Sequence, residues 1–177
     1  MKKTLPVELS LSISAMIIAI ASITIAIWEG NTMRKHYHLS VMPRLNNNFS
    51  VDDSSSSSKA IAYFKIRNNG LGPAVIISRE YFVDGEKIDD SKNHFSVIIL
   101  QALNFDNIAG SAFQSISNGL TIPAGDNLKV FGFYFNNREA FYRQRFELHD
   151  RLSFIIKYES LYGEKYEVSH NMDKVKR

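Results

Sequence analysis

Five histidines are the side chains of this 177-residue chain best suited to chemistry near neutral pH: His36, His38, His94, His149 and His170. His36 and His38 flank Tyr37 and suggest a metal pair. On a helix, positions i and i+2 point about 200° apart, so these imidazoles converge only on an extended backbone. Beside Arg34 and Lys35 they read as interfacial side chains. His94 and His149 are the histidines a ligand-binding or hydrolytic site would use, with the acids between Asp84 and Asp90. Asp84, Glu86, Asp89 and Asp90 also suggest calcium. An EF-hand loop, however, needs a longer fixed ligand order closed by a glutamate, which is absent here. The acids read as solvated turn residues.

Other chemistries find no carrier. The chain has no cysteine, which removes disulfides, thiolate metal sites and cysteine nucleophiles. It has no G-x-S-x-G, H-E-x-x-H, P-loop or G-x-G-x-x-G sequence. Gly70-Leu71-Gly72 runs into Pro73 and a strand, so no helix N-terminus follows to hold phosphate. Arg138, Arg143 and Arg145 suit an anionic partner, but Glu139 and Glu147 are the nearer partners in sequence. The 12 Phe and 8 Tyr fall at core periodicity and not as a carbohydrate or base-stacking platform. The expectation is a non-enzyme without catalytic, cofactor-binding or metal residues.

The charge distribution argues against nucleic acid. Residues 1–44 hold Lys2, Lys3, Arg34, Lys35 and Arg44 against Glu8 and Glu29, a net of +3; residues 45–177 hold 16 basic and 16 acidic residues. The excess flanks an apolar segment, where membrane anchors carry it.

That segment is the strongest element. From Leu9 to Trp28 there are 20 uncharged residues, roughly 30 Å of helix and the hydrocarbon thickness of a bilayer. Trp28 suits the headgroup level, and Arg34 and Lys35 follow in the aqueous zone. A cleaved signal peptide competes, with Ala19-Ile20-Ala21 as its small-x-small pattern. The apolar run continues through Ile23, Ile25 and Ile27, beyond the usual 7–15 residues or so of such a region, so an uncleaved anchor is expected. Ser12, Ala15, Ala19, Ser22 and Ala26 recur at spacings of 3, 4, 3 and 4 and form one stripe. In a membrane, small residues allow close backbone approach, so the stripe is a candidate packing face for a second copy or another membrane protein. The balance of flanking charge leans towards a cytoplasmic soluble part.

The expected layout is a tail over 1–8, a transmembrane helix over 9–28 and a basic juxtamembrane segment over 29–44. A β-sandwich then covers 45–172, with a frayed tail over 173–177. The first helix can run on towards His38, and Pro43 ends it. Val41–Val51 reads as an entry strand and Ser54–Ser58 as a flexible loop. Ala60–Arg67 alternates, with Ala62, Phe64 and Ile66 on one face. Asn68 to Pro73 turns the chain into a strand over Ala74–Val83, and Asp84-Gly85 closes a hairpin. Helical spacing predicts a helix over 92–103, with Ser91 as its cap. Strands follow near Ala112–Ile116 and over Lys129–Phe135, the latter apolar on both faces and therefore central. A helix over Asn137–Asp150 is supported by Glu139–Arg143 and Arg143–Glu147 pairs. Leu152, Phe154, Ile156 and Tyr158 alternate in a strand that Tyr162-Gly163 turns into a last one over Lys165–Val168. About seven short strands with two helical insertions predict a mainly β, sandwich-like class.

The run Lys65-Ile66-Arg67-Asn68-Asn69-Gly70-Leu71-Gly72-Pro73-Ala74, followed by Asp84-Gly85, resembles the strand–turn–strand of immunoglobulin-like surface modules of the CARDB type. Ile122-Pro123-Ala124-Gly125 before an aromatic strand is similar to their later strand entry. The layout, with Leu39-Ser40-Val41-Met42-Pro43 after the anchor, also resembles uncharacterised bacterial single-pass proteins. The resemblance implies an immunoglobulin-like β-sandwich at a bacterial inner membrane and carries no catalytic residues.

The leading expectation is a membrane-anchored interaction or scaffold module within a membrane assembly. Its partners would be the lipid bilayer and, through the helix, itself or another membrane protein. No nucleic acid or small-molecule substrate is implied. The alternative is a tethered ligand-binding or hydrolytic domain, with His94, His149 or the Asp84–Asp90 acids gathered in a concave pocket.

Overall fold

In the computed structural model the described residues are 7–52, 60–89, 95–104, 108–114 and 116–175. The chain divides into two compact units, Met1–Ser40 and Val41–Arg177. The first contains one helix, α1, Val7–Ser40, none of whose residues is buried. It passes Trp28 without a break and stops before Pro43, whose ring and missing N–H cannot continue a helix.

The second unit is built on two antiparallel sheets. The first has the order β1 (Leu45–Asp52), β2 (Ala60–Asn68), β7 (Asn127–Phe135), β5 (Ile108–Phe113). The second has β4 (Glu86–Ile88), β3 (Ala74–Val83), β8 (Leu152–Glu159), β9 (Lys165–His170), and β6 (Thr121–Ile122) also pairs with β3. Two helices complete the unit: α2, Phe95–Leu103, and α3, Arg138–Arg151. With α1 included, helix and strand take near-equal shares, roughly 38% and 40%. The class is thus mixed α/β with a sandwich-like body rather than mainly β.

The alternation expected of β2 and β8 is what the burial shows. Ala62, Phe64 and Ile66 face the core from one sheet, and Phe154, Ile156 and Tyr158 from the other. β7 lies between β2 and β5, and Phe131, Phe133 and Phe135 are fully buried. The Phe131 ring meets those of Phe64, Tyr81 and Phe154 at centroid distances of 5.0–6.3 Å, edge-on or tilted, the arrangement aromatic quadrupoles prefer, and Phe135 meets Phe141 edge-on at 5.4 Å. The Asp84-Gly85 hairpin forms with φ of +52° and +82°, the left-handed pair of a two-residue turn.

Several expectations are corrected. The strand expected near Ala112–Ile116 begins earlier, at Ile108, because its pairing with β7 runs from Ile108–Phe135 to Phe113–Phe131. β9 extends to His170, and Met172–Lys174 form a 3-10 turn, while residues 176–177 of the expected frayed tail lie outside the described residues. Neither the Glu139–Arg143 nor the Arg143–Glu147 pair forms among the described residues; Glu147 pairs with Arg151 instead, at 3.2 Å. The serine run 54–58 and the Ser91 cap lie outside the described residues.

Candidate functional site

The turn that carries the sequence resemblance is organised by one buried amide. Asn68 is fully buried at the end of β2. Its Oδ1 accepts from the N–H of Arg44 (3.1 Å) and of Gly70 (3.0 Å). Its Nδ2 donates to the carbonyls of Gly72 (2.8 Å) and Ile122 (3.0 Å). Three separate segments are thereby fastened at one point, and all four hydrogen-bonding positions of the amide are used. The glycines allow the approach: a Cβ on Gly72 would overlap the Val41 carbonyl, and one on Gly70 the Met42 carbonyl and Arg44 nitrogen.

The chemistry-bearing residues are likewise drawn into structural work. Arg151 lays its guanidinium on Asp84, with Nε to Oδ1 at 2.9 Å and Nη2 to Oδ2 at 2.7 Å. It also donates to the carbonyls of Ala102 (3.0 Å) and Leu103 (2.8 Å) at the end of α2, and to Glu147. The guanidinium beside Asp84 holds that carboxyl below its usual range, chiefly by hydrogen bonding, and burial opposes the effect. Arg151 is thus the clamp between the hairpin and two helices, while Asp84, its side chain 52% exposed, remains a solvated turn residue with a fixed partner. Asp90 and His94 lie outside the described residues.

His149 and His170 do come together, with ring centroids 4.5 Å apart. His170 is buried between Phe64 and Phe154, and burial pushes its pKa down. Its Nε2 donates to the His149 carbonyl at 3.1 Å, and Asn171 Nδ2 donates to the Asp150 carbonyl at 2.6 Å. These side chains satisfy carbonyls that the end of α3 leaves open. Among the described residues no group of three or more metal-ligating side chains gathers. His36 and His38 lie on α1 two residues apart, so they cannot chelate together.

Two surfaces remain open. The first is α1. Ser12, Ala15, Ala19, Ser22 and Ala26 lie within an arc of roughly 80° at 3.6 residues per turn, and Gly30 continues it. Ser12 Oγ donates to the Glu8 carbonyl and Ser22 Oγ to that of Ile18, at 2.9 and 2.8 Å. Both hydroxyl donors are used within the helix, which leaves this face small and even. Trp28, Arg34 and Lys35 follow on the same continuous helix.

The second surface is α3. The Asn137 side chain caps it by accepting from the Ala140 N–H at 2.7 Å. Phe141, Gln144 and Leu148 turn to the core. Tyr142, Arg145, Phe146 and His149, spaced i, i+3, i+4, i+7, form an outer stripe, with Phe146 67% exposed. The Arg145 guanidinium lies over the rings of Phe146 and Tyr142, 4.6 and 5.0 Å from their centroids. Arg145, Phe146 and His149 of this stripe, with Phe49 and Val51 of β1, line a groove of about 440 Å³. His149 therefore does line a concavity, but with aromatic neighbours, whereas Asp84 is held by Arg151. Sequence reading missed this stripe, although its spacing was visible.

A family model describing a domain of unknown function, DUF8453, matches residues 7–174, from the start of α1 to the last turn. The chain belongs to the DUF8453 family. The DUF8453 match includes the apolar helix as well as the sandwich-like body, so the two units recur together as a family unit. No curated protein matches the chain. Among solved structures, that of a Bordetella pertussis protein described as ApaA is similar at 12% identity. The match covers 73% of this chain and 90% of that one, with a TM-score of 0.35, too low to support any inference. Within the DUF8453 chain, α1 is long and apolar enough to cross a membrane, a property that an anchor and a signal sequence share.

Proposed function

We propose that this protein is a membrane-anchored, non-enzymatic interaction module with an immunoglobulin-like body, acting as a subunit of a membrane-associated assembly. The observation that carries this reading is the bare surface of α1. Twelve large apolar side chains from Val7 to Trp28 are each at least 45% exposed. Covering each is worth about 1.5–3 kcal/mol, so together they exceed the roughly 5–15 kcal/mol by which a domain is stable. Such a helix demands lipid or another helix around it.

The helix spans roughly 50 Å at 1.5 Å per residue, longer than the hydrocarbon layer of about 30 Å. Leu9 to Trp28 lie in the bilayer, Trp28 sits at the interface, and Arg34 and Lys35 are in the aqueous zone. The small-residue stripe is the packing face, for a second copy or another membrane protein. The exposed aromatic–arginine stripe on α3 gives the soluble body a further contact surface of the composition enriched at protein interfaces. Flanking charge leans towards that body facing the cytoplasm of a bacterial inner membrane.

The test is replacement of Ala15, Ala19 and Ser22 by leucine in the full chain. Crosslinked oligomer or co-purified membrane partner should fall with the substitution, while membrane insertion persists. Unchanged assembly removes the stripe from the reading.

A further inference from the structure

On the outer face of the first sheet, one position breaks the covering of side chains. Gly132 is at the middle of β7, the strand flanked by β2 and β5. Glycine in the interior of a strand costs stability, through chain entropy and lost side-chain contact. Here no local need for it appears. Its φ is not in the positive region, and a Cβ would meet nothing closer than the Ala112 carbonyl oxygen at 3.5 Å, ordinary van der Waals contact. Gly70 and Gly72, by contrast, have backbone where a Cβ would stand. What glycine leaves at position 132 is space.

That space is a shaped groove of about 290 Å³. Its floor is Gly132 and, directly opposite on β5, Ala112. Tyr63 of β2 stands opposite Gly132 on the other side, and Tyr134 lies two residues along β7 on the same face. Asp52, Ile61, Gln114 and Lys129 complete the lining. The volume is at the small end of the roughly 300–1,000 Å³ range of ligand sites, room for a single ring and not for a polymer.

We infer that this groove is a binding site for a single pyranose ring, a monosaccharide or the terminal unit of a glycan. Tyr134 offers a flat phenol face for the C–H face of a sugar, and Tyr63 forms the opposite wall, its ring already carrying the ammoniums of Lys65 and Lys129 at 4.4 and 5.2 Å from its centroid. The small floor lets the ring sink between them. The rim mixes a carboxylate that only accepts, an ammonium that only donates and an amide that does both. That set matches hydroxyl groups, which donate and accept in turn. A planar anion would suit Lys129 but face Asp52, and the balanced charge of residues 45–177 gives it no field to follow.

The experiment uses the full chain in lipid nanodiscs and saturation-transfer NMR with glucose, galactose, mannose and N-acetylglucosamine as probes, with benzoate as the planar anion. At least one sugar should receive saturation at millimolar concentration. Gly132→Val fills the groove with a residue favoured in strands, so its melting temperature should hold or rise while sugar binding weakens at least roughly tenfold. Tyr63→Ala should weaken binding as well. Saturation of no sugar, binding of benzoate alone, or equal sugar binding by Gly132→Val would each overturn the assignment.

Discussion

Replacing Asn68 by alanine should cost this protein about 4 kcal/mol. The side chain is fully buried and makes four hydrogen bonds to backbone groups in three segments. Alanine leaves the carbonyls of Gly72 and Ile122 without these donors, and each buried group so abandoned costs about 1–3 kcal/mol. The N–H groups of Arg44 and Gly70 lie nearer solvent and recover part of their loss through water. Asn68→Asp separates the donor from the acceptor role. It keeps the oxygen that receives the two N–H groups but turns a second oxygen onto two carbonyls, at the 2.8 and 3.0 Å now spanned by Nδ2. At neutral pH it should therefore be no better than alanine. Acidification should restore part of its stability, because the protonated acid again donates. Its pKa in the folded state would be raised, so stability is greatest below the unfolded carboxyl value and is lost as pH rises through the folded one. Urea denaturation of the full chain in detergent, followed by circular dichroism of the sheets, measures both. A loss below about 1 kcal/mol for Asn68→Ala, or an aspartate variant indifferent to pH, would refute the assignment of the amide as a central fastener.

Three further outcomes follow from the same contacts. Arg151→Lys keeps the charge but loses the fork on Asp84 and the reach to the α2 carbonyls, so urea denaturation should show a loss of about 1–3 kcal/mol. His170 has its pKa lowered from 6.5 by burial, so its contribution is complete above that value. It should be lost as pH falls from there through the folded pKa, at no more than about 1.4 kcal/mol per pH unit. His170→Gln, which keeps a donor for the His149 carbonyl, should flatten that slope in a pH series of melting curves. Gly72→Ala drives a Cβ into the Val41 carbonyl and should destabilise by more than about 1 kcal/mol, whereas Gly132→Ala should be neutral or stabilising in the same assay.

What the sequence displayed and what it hid differ by the range of the interactions involved. β2 and β8 were readable because each turns one face to a single core, so alternation is printed along Ala62, Phe64 and Ile66 and along Phe154, Ile156 and Tyr158. The Asp84-Gly85 turn was readable because its backbone angles are tolerated by few residue types. β5 was misplaced because Gly110 and Ser111 dilute its pattern and its position is set by β7. Asn68 resembles any turn asparagine until residues 42–44 and 122–126 fold over it. The Asp84–Arg151 clamp joins residues 67 apart, and the His149–His170 contact depends on the β8–β9 hairpin, so neither leaves a local trace. On α3 the buried stripe of Phe141, Gln144 and Leu148 overlies the outer aromatic one. The two together blur the helical period, and the i, i+4 ion pair that forms on α3 is Glu147–Arg151, whose arginine also holds Asp84.

The central claim is that α1 stays attached and holds the body to a membrane. Intact-mass analysis and N-terminal sequencing of the protein recovered from the membrane fraction after carbonate extraction test it most directly. The expected result is a chain resistant to extraction that retains the segment from Leu9 to Trp28. A shorter product starting just after Ala19-Ile20-Ala21 and found in the soluble fraction would contradict it.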